Sequence, residues 1–456
     1  MAHVRTLILG GGMSGLSTAY HLKSDYQLWE KSDEPGGLSR SIKKDGFTYD
    51  HTGHLLHLHH PDTLALIKKL LGDNLVERKR NSWIYSHDTY TRYPFQANLY
   101  GLPKKVIEEC LQGLEEAQEK ARRKSDKLPL TSAIKSEDLA AHPYENREAQ
   151  TFHNWVQHTF GEGFGKHFFY PYNKKLWQIS LNKLTTEWMG QFVPKPSIEE
   201  IKRGAKSDQT TEFGYNATFY YPKKGGIQAL AFGFANQLKK QNIHLNREVT
   251  SVDLDKKQVT AKSGEVISYD QLVTSLPLVR FLAMVQNLPS EAAQSAKLLR
   301  WTSVYNLNLG VQRAHISDKH WIYFPEEKYR FYRVGFPMNF TETMTPPGCS
   351  SMYIELAYPP GQLPNDRDAM KDCLEGLYDS KILDRKDKIV SQVVLNIPIA
   401  YVIYDRNRTP AVKALRSYLQ SKNVHSIGRF GAWKYSYMEA AILEGKATAQ
   451  NIDGAP

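Results

Sequence analysis

Cysteine is scarce in this chain, and long apolar runs are missing. The 456 residues contain three cysteines, at Cys110, Cys349 and Cys373, and none of these forms a CxxC pair. This spacing excludes a disulfide-rich scaffold or a cysteine zinc finger, and it indicates a reducing compartment. No window reaches the roughly 18 apolar residues of a membrane helix, and glycines cut short the N-terminal run TLIL. We therefore expect a cytoplasmic protein without integral membrane association.

The remaining composition is that of a globular protein, with 41% hydrophobic and 23% charged residues. The length predicts about two or three domains. A formal charge of +11 favours anionic partners such as phosphorylated substrates and nucleotide cofactors. The basic residues form no long stripe with interleaved aromatic residues, so we expect no nucleic-acid partner.

A glycine-rich turn follows the first apolar run. In VRTLILGGGMSGLSTAYHL, Gly10, Gly12 and Gly15 lie between a predicted strand and a segment with helical apolar spacing. Glycines at these positions let the backbone approach a pyrophosphate, which the positive end of the helix dipole stabilises. The next predicted strand, YQLWE, ends in Glu30, whose carboxylate can accept hydrogen bonds from a ribose. The pattern predicts a Rossmann-like dinucleotide site.

A second pair of glycines separates the flavin enzymes from other dinucleotide-binding proteins. EKSDEPGGLSRS places Gly36 and Gly37, followed by Leu38 and Ser39, shortly after Glu30. This arrangement resembles the flavin-binding pattern of the amine oxidase and protoporphyrinogen oxidase superfamily. In that superfamily the second loop passes along the phosphates and the ribityl chain of the cofactor. The resemblance implies FAD as the cofactor.

Patterns along the rest of the chain predict how the domains are arranged. Residues 244–277 alternate apolar and polar side chains as strands do, and residues from Thr302 onward are again rich in strand patterns. A polar, helix-like stretch precedes residue 244, and a last helix starts near Met438. We expect an α/β fold with a discontinuous Rossmann-like FAD-binding domain, a helical insertion and a mixed, largely antiparallel β-sheet substrate domain. The predicted ranges are 1–85, 215–277 and 420–456 for the FAD domain, 95–205 for the helical domain, and 86–94 and 278–419 for the substrate domain.

Several longer segments resemble one family of flavin enzymes. In chain order they include GFTYDHTGHLLH, RYPFQANLY, FFYPYNKKLW, YNATFYYPKKGG, WIYFPEEKYRFYR, AYVIYDRN and GRFGAWKYS. The chain resembles the UDP-galactopyranose mutases, and it is more similar to the larger eukaryotic-type enzymes than to the short bacterial ones. The resemblance implies an isomerase in which reduced FAD attacks the anomeric carbon of a UDP-sugar. The nucleotide leaves and returns, and pyranose and furanose forms of the sugar are interconverted without net redox.

The resemblance also implies roles for individual side chains. The implied catalytic residues, at the flavin, the diphosphate and the sugar, are His54, Tyr323, Arg333, Tyr401 and Tyr435. The implied cofactor-binding residues are Gly10, Gly12, Gly15, Glu30, Gly36, Gly37, Leu38, Ser39, His54, Val249, Arg429, Tyr435 and Ser436. The implied substrate-binding residues are Tyr93, Phe95, Gln96, Trp155, Tyr170, Asn173, Asn216, Tyr323, Arg333 and Tyr401. Any one of the 26 tyrosines, taken alone, is more often a packed core residue.

One position departs from the family pattern. FFYPYNKKLW has Tyr170 where the eukaryotic-type mutases have a second diphosphate-binding arginine. A tyrosine donates one hydrogen bond and supplies no positive charge. Lys174, Lys175 and Arg92 are candidates to replace that charge. Otherwise the substrate is not UDP-galactose, and a different nucleotide sugar or a rearrangement on another glycosyl donor remains open.

The segment HTGHLLHLHH raises the question of a metal site. On a strand, His57 and His59 would share one face while His60 would point to the other. No cluster of carboxylates or cysteines elsewhere completes a coordination sphere. We expect no metal here, a role for His54 at the flavin, and exposed turn or helix-leading positions for His59 and His60.

Two other functions remain open on the sequence. An oxidoreductase of the amine oxidase or protoporphyrinogen oxidase type would use the same FAD scaffold, and a flavoprotein that has lost its chemistry could act as a partner in glycan assembly. RYPFQ and Arg333 favour the mutase, because an amine oxidase does not need a diphosphate clamp. NAD(P)H is a candidate reductant of the flavin, and the oligomeric state is left undetermined by the sequence.

Overall fold

The computed structural model describes residues 2–125, 150–190, 192–209 and 217–454. The helices are α1 (Met13–His21), α2 (Pro61–Leu71), α3 (Lys104–Ser125), α4 (Phe152–Thr159), α5 (Gly161–Phe164), α6 (Tyr170–Trp177), α7 (Ile198–Lys206), α8 (Gln228–Ala235), α9 (Leu278–Met284), α10 (Ser290–Lys297), α11 (Asp366–Asp379), α12 (Arg408–Ser421), α13 (Gly428–Gly431) and α14 (Met438–Gly454). A π-helical turn, Gly165–Phe169, joins α5 to α6. Within these ranges no helix combines the length and the apolar character needed to cross a bilayer.

In the described residues, the strands form two large sheets and two small ones. They are β1 (Ala2–Leu9), β2 (Tyr26–Trp29), β3 (Ser41–Lys44), β4 (Phe47–Asp50), β5 (Val76–Lys79), β6 (Ser82–Ser86), β7 (Thr89–Arg92), β8 (Thr218–Tyr221), β9 (Ile243–His244), β10 (Val249–Asp253), β11 (Gln258–Ala261), β12 (Val266–Thr274), β13 (Trp301–Val311), β14 (Trp321–Tyr323), β15 (Arg333–Gly335), β16 (Ser350–Tyr358), β17 (Ile389–Val402) and β18 (Val424–Ser426). The small sheets pair β3 with β4 and β5 with β8.

The first large sheet is built from the two ends and the middle of the chain. Its order is β10-β11-β12-β1-β2-β9, with β18 paired to β12. Strand β1 is parallel to β2 and to β12, whereas β10, β11 and β12 form an antiparallel meander. Leu7, Ile8 and Leu9 are fully buried, as expected for a central parallel strand that is covered on both faces.

Helices α1 and α14 pack against each other at very short range. A Cβ on Gly445 would lie 2.6 Å from the carbonyl oxygen of Ser14, and the Ser17 hydroxyl donates a hydrogen bond of 2.6 Å to the Ile442 carbonyl. A larger residue at Gly445 would push the helices apart. This contact fixes the C-terminal helix beside the helix that follows the first glycine turn.

The second large sheet is mostly antiparallel and has the order β17-β13-β16-β15-β14-β6-β7. Only the β14–β6 pairing among these strands is parallel. One face packs on α11, where Cys373 and Leu377 join an apolar core with Phe324 and Phe331. The opposite face is therefore the one available to build a site against the rest of the molecule.

The helical layer is held together by aromatic rings and by glycines at a helix crossing. Phe160 and Phe169 stack with centroids 5.0 Å apart, as do Phe95 and Phe168. A Cβ on Gly163 would lie 2.1 Å from the Glu109 carbonyl oxygen, so α5 approaches α3 through bare backbone. The layer places α6 against strands β13 and β16 of the second sheet.

The predicted α/β class, with a mixed and largely antiparallel second sheet, is confirmed, and the last helix begins at Met438 as expected. HTGHLLHLHH is not a strand, because only Leu56 forms a bridge, to Tyr220. Helix α8 ends at Ala235, and turns follow it.

Candidate active site

The two glycine loops lie against each other at the start of α1. Gly10 has a φ of +101°, and a Cβ on Gly15 would lie 2.0 Å from the Gly10 carbonyl oxygen. The Gly36 N–H donates a hydrogen bond of 2.8 Å to the Gly11 carbonyl. Gly12 caps α1, and a Cβ there would meet no heavy atom within 4 Å. The turn therefore leaves open backbone N–H groups at a helix N-terminus, which suits a phosphate.

Glu30 is placed directly beside this turn. Its side chain is buried, one carboxylate oxygen accepts the Gly11 N–H at 2.7 Å, and the other accepts the Ser32 N–H at 2.9 Å. The Arg247 N–H donates to the Glu30 carbonyl at 2.8 Å, which brings the chain entering β10 and its first residue, Val249, to the same edge. These are the positions that would receive the nucleoside end of a dinucleotide.

The second loop also contacts the C-terminal helix and the second sheet. The Ser39 hydroxyl lies 3.7 Å from the Met438 sulfur, at the first residue of α14. Leu38 packs with Val304 and Ala400, which belong to β13 and β17. The predicted cofactor loop is thus where the two large sheets approach each other.

Arg429, in the short helix α13, connects the C-terminal segment to strand β17 of the second large sheet. Its Nη1 donates to the Ser436 carbonyl at 2.7 Å and its Nη2 to the Ala400 carbonyl at 3.1 Å. The guanidinium lies over the rings of Tyr401 and Tyr435, at 5.2 and 4.8 Å from their centroids. A cation is therefore held among aromatic rings beside the predicted flavin-binding segments.

His54 occupies a loop whose course depends on the preceding glycine. A Cβ on Gly53 would lie 2.2 Å from the Tyr353 hydroxyl oxygen, so no other residue would let the loop pass there. Burial, with His51 and Arg429 nearby, lowers the pKa of His54 to about 3, and the imidazole is neutral at physiological pH. Within the described residues, its Nδ1 is buried and makes no hydrogen bond.

The other histidines of this segment have structural partners. His51 hydrogen-bonds to the Arg40 carbonyl and His57 to the Thr218 carbonyl. The backbone N–H groups of His59 and His60 donate to the Glu439 carboxylate at 2.9 Å. In the ranges that the structure covers, no three His, Cys, Asp or Glu side chains are grouped as ligands of a metal.

These features fit FAD. The open glycine turn and Glu30 suit its pyrophosphate and ribose, and the second loop continues toward His54. Besides His54 Nδ1, the hydroxyl of Ser436 is buried without a hydrogen-bond partner in the described part of the chain. Buried polar atoms of this kind are normally satisfied by a ligand or water.

A row of polar side chains crosses the second sheet. Tyr323 on β14, Arg333 on β15 and Glu355 on β16 are direct partners in the strand register, so their side chains share one face. Arg333 donates from Nε and Nη2 to the two carboxylate oxygens of Glu355, at 2.7 and 2.8 Å. Glu355 is 0% exposed and Arg333 18%.

The Glu355 pair orients the arginine without using all of its donors. Desolvation is the largest single influence and lowers the pKa of the Arg333 guanidinium, but the Glu355 carboxylate, together with Tyr353 and Tyr401, more than offsets it, so the pKa is raised. A guanidinium has five N–H donors, and the Glu355 contact uses one edge of it. Nη1 remains directed away from that edge, so Arg333 can bind a second anion.

Tyrosine rings surround this row. The Tyr323 ring lies 5.2 Å from that of Tyr93 and meets that of Tyr172 edge-on at 5.5 Å. Burial raises the pKa of Tyr93 and Tyr323, and that of Tyr401 to about 12, yet all three side chains keep some exposed surface. They therefore line an interior space, and their hydroxyls are protonated donors at neutral pH.

Several predicted substrate-binding residues lie elsewhere. The Tyr170 hydroxyl donates to Glu162 at 3.2 Å, and its ring stacks on that of His153 at 4.6 Å. This outward placement corrects the sequence prediction, since Tyr172 is the residue of this segment that contacts Tyr323. Asn173 is engaged within α6, where it donates to the Phe169 carbonyl and accepts from Trp177.

The RYPFQ segment is divided between the site and the core. Tyr93 faces the site, but Phe95 is fully buried on Phe168. The Gln96 amide donates to the Pro194 carbonyl at 2.6 Å. Trp155 packs against Phe152 and Phe160, with the Lys195 amine 5.6 Å from its ring. Asn216 lies outside the described residues.

None of the three cations expected to replace the missing arginine faces the tyrosines. Arg92 pairs with Asp208, Lys174 pairs with Glu327, and the amine of Lys175 donates to backbone carbonyls. The guanidinium of Arg80 instead lies 5.0 Å from the centroid of Tyr93.

Sequence reasoning missed four residues of this site: Arg80, Tyr172, Tyr353 and Glu355. One signal was present for Glu355, since a single carboxylate inside the apolar strand SSMYIELAY must be paired if the strand is buried. The others have no local signal, because their neighbours at the site come from distant strands.

Residues 13–453 match the family model described as flavin containing amine oxidoreductase. The chain belongs to this family. It is 21% identical over 342 residues to coproporphyrinogen III oxidase of Bacillus subtilis (strain 168), covering 69% of this chain and 68% of that protein. It is 25% identical over 352 residues to 4,4'-diapolycopene oxygenase of Methylomonas sp., covering 70% of this chain and 65% of that protein.

Two solved structures show how far the fold similarity extends. Reduced UDP-galactopyranose mutase superposes with a TM-score of 0.89 at 26% identity, over 100% of this chain and 94% of that one. Putrescine oxidase superposes with a TM-score of 0.61 at 16% identity, over 99% of both chains. The family implies FAD as the cofactor, and the protein is a member of a flavin enzyme superfamily.

Proposed function

We propose that the protein is an FAD-dependent nucleotide-sugar mutase that interconverts the pyranose and furanose forms of a UDP-sugar. The observation that carries this proposal is Arg333, which Glu355 orients at 2.7 and 2.8 Å into a space lined by tyrosines. A fixed guanidinium in aromatic surroundings suits a phosphate or diphosphate group. The similarity to reduced UDP-galactopyranose mutase supports the same function.

Bound reduced FAD would supply the nucleophile for the anomeric carbon. The chain itself must hold the departing diphosphate, and Arg333 and Arg80 provide two cations near Tyr93 and Tyr323. Positive charge fixed before the reaction stabilises a leaving anion without reorganisation at the moment of reaction. The surrounding rings exclude water, and this strengthens that stabilisation.

The hydroxyls and His54 would orient the sugar and the cofactor edge. Tyr401 keeps its proton, because its pKa is raised to about 12, and it can donate to a sugar or phosphate oxygen. His54 is neutral, since its pKa is lowered to about 3, so it can donate from one nitrogen and accept at the other. A neutral imidazole adds no charge that would compete with the two arginines for the diphosphate.

An oxidoreductase of the amine oxidase or protoporphyrinogen oxidase type is the second candidate. It is favoured by the sequence relatives, since coproporphyrinogen III oxidase and 4,4'-diapolycopene oxygenase are both oxidative enzymes by name. The buried Arg333–Glu355 pair favours the mutase, because oxidation of an amine or a porphyrinogen uses no anion leaving group.

Parallel incubations of the reduced enzyme without air and of the oxidised enzyme in air separate the two candidates. The purified protein is reduced with dithionite and incubated with UDP-galactose and with other UDP-sugars, and the products are separated by chromatography. The mutase gives a furanose product with the flavin still reduced. If the air-oxidised enzyme oxidises an amine or a porphyrinogen and the reduced enzyme forms no furanose, the oxidoreductase is supported. A flavin-loaded protein that binds UDP and forms neither a furanose nor an oxidised product would contradict both.

A further inference from the structure

Lys175 on α6 has a cationic side chain that the proposed reaction does not use. Its amine donates hydrogen bonds to three backbone carbonyls, those of Glu326 and Tyr329 at 2.9 Å and that of Phe331 at 3.0 Å. All three acceptors belong to one hairpin loop, residues 324–332, which joins β14 to β15. The loop therefore closes around the lysine side chain.

Three acceptors around one nitrogen require three hydrogens. An ammonium has three N–H donors and a neutral amine has two, so the carbonyl arrangement selects the charged form. Burial opposes this charge and lowers the pKa of Lys175 to about 7, while the carboxylates of Glu326 and Glu327 raise it. A buried ammonium surrounded by three carbonyls of one loop indicates that the loop geometry depends on the charge of Lys175.

The loop leads directly into the candidate anion site. It leaves β14 after Tyr323 and enters β15 at Arg333. The Tyr332 N–H donates to the Glu355 carbonyl at 3.0 Å, one residue before the Arg333 side chain meets the Glu355 carboxylate. A shift of the loop would therefore move Arg333 along β16.

Helix α6 contacts both sides of this hairpin. The Tyr172 ring lies edge-on to that of Tyr323 at 5.5 Å, and Lys175, one turn further on, holds the loop. The outer side of the loop has separate contacts, from the Tyr329 hydroxyl to Asp379 at 2.6 Å and from the His87 N–H to Glu326 at 3.0 Å. These outer contacts tie the loop to α11 and to the β6–β7 turn, and not to α6.

We propose that Lys175 is a positioning residue for the anion site. Its ammonium fastens loop 324–332 to α6 and so keeps Tyr323 and Arg333 in register with Glu355. It does not itself contact the diphosphate. The link to substrate binding depends on the proposed function, whereas the effect on the loop does not.

The neighbouring lysine provides a matched control. Lys174 pairs with Glu327 of the same loop at 2.9 Å, but both side chains are about two-thirds exposed, at 69% and 68%. Exposed pairs of this kind contribute little to stability or geometry. Lys174→Met removes the same charge from the same helix and leaves the buried contacts intact.

The experiment compares flavin-loaded wild type, Lys175→Met, Lys174→Met and Lys175→Arg by UDP titration and by hydrogen exchange. We expect Lys175→Met to retain its flavin, to raise the Kd for UDP about tenfold and to speed amide exchange in residues 324–332. Exchange in β1 should be unchanged. Lys174→Met should stay within about twofold of wild type, and Lys175→Arg, which keeps the charge but replaces the compact ammonium by a planar guanidinium, should recover part of the affinity.

Each outcome bears on the proposal. Equal UDP affinity in Lys175→Met and Lys174→Met would overturn it, and so would unchanged exchange in the loop. A weaker affinity with unchanged loop exchange would mean that the amine contacts the ligand directly, which also overturns it. If Lys175→Met does not yield flavin-loaded protein, Lys175→Gln replaces it under the same criteria. If the wild type binds no UDP, the proposed function fails, and the exchange data alone decide whether Lys175 holds the loop.

Discussion

The glycine turn at the start of α1 and the Tyr323–Arg333–Glu355 row are built on opposite principles. In the first, function depends on absent side chains: a Cβ on Gly15 would lie 2.0 Å from a backbone oxygen. In the second, function depends on particular side chains that meet across three strands. A steric requirement is set by the local backbone, whereas a cross-strand row exists only after the sheet has formed.

The two regions should therefore respond differently to substitution. The turn should fail completely when one carbon is added at Gly15, because the Gly10 carbonyl cannot move aside. In the row, effects on ligand binding and on stability should be separable by substitution, because Arg333 serves both Glu355 and a substrate. The predictions below test this difference.

The largest effect is expected for Gly15→Ala. The added methyl group overlaps the Gly10 carbonyl, so the turn cannot close, and we expect purified protein without flavin absorbance. The control is Gly12→Ala, whose Cβ meets no heavy atom of the chain within 4 Å. It should keep the wild-type thermal midpoint while binding FAD more weakly. A Gly15→Ala protein with full flavin content would remove the steric argument.

Arg333→Ala should abolish UDP binding and lower stability while leaving the flavin in place. It leaves the Glu355 carboxylate buried without a partner, which costs about 3–5 kcal/mol of unfolding free energy. Denaturant unfolding, UDP titration and flavin absorbance measure the three quantities.

The double variant Arg333→Met with Glu355→Gln separates the two roles of the arginine. With both charges removed it should recover most of the stability but none of the UDP affinity. Recovery of UDP binding in the double variant, or loss of FAD with normal UDP affinity in Arg333→Ala, would contradict the assignment.

Asp50 ends the strand that precedes the His54 loop, and it should make the free energy of unfolding fall as pH rises. Its carboxyl is buried and accepts from Ser41, Tyr221 and the Ile227 N–H, and burial raises its pKa to about 6. Because the native state binds the proton more tightly than the unfolded chain, this stability is present below about pH 4 and is lost as pH rises through 6. It amounts to about 3 kcal/mol. Asp50→Asn should remove that dependence from denaturation curves between pH 4 and 7.

His54 should act in the opposite direction. Its pKa is lowered to about 3, so the native state binds a proton less readily than the unfolded chain. Its contribution is present above pH 6.5 and falls by about 2 kcal/mol between pH 6.5 and 5. His54→Asn should flatten the acid side of the stability curve. A steeper acid limb in the variant would contradict a buried neutral imidazole.

The smallest effect is expected for Tyr170→Phe. It removes one hydrogen bond to Glu162 and should change stability by less than about 0.5 kcal/mol, with UDP affinity unchanged. The comparison is Tyr172→Leu, which removes the ring that meets Tyr323 and should weaken UDP binding. A strong loss of UDP affinity in Tyr170→Phe would place Tyr170 in the site after all.

Much of the fold was predictable because its signals are local. Glycine spacing, the short strand ending in Glu30 and the alternating pattern of residues 244–277 all indicated a dinucleotide domain, and β1, β2 and β10–β12 form its sheet. The alternation in HTGHLLHLHH did not by itself decide whether this segment forms a strand. Its single bridge and the Glu439 carboxylate, which binds two of its N–H groups, hold it as a loop instead.

The site was less predictable than the fold. The family resemblance pointed to Arg333, Tyr323 and His54, and the structure places them around one space. It could not indicate that Tyr172 rather than Tyr170 faces that space, because residues two positions apart point to nearly opposite sides of α6 and only packing decides which side faces the sheet. The family resemblance also could not indicate that the carbonyls around Lys175 come from a loop 151 to 156 residues further along the chain.

The sequence by itself determined where the backbone must be bare, since a glycine requirement follows from sterics within a few residues. It also determined the presence of a flavin-type turn and the class of fold. Only the tertiary structure decided which charges are paired and which face a ligand, because β14, β15, β16, α6 and α13 bring their side chains together from distant positions. Charge pairing depends on distance in space, and distance in space is set by the packed fold.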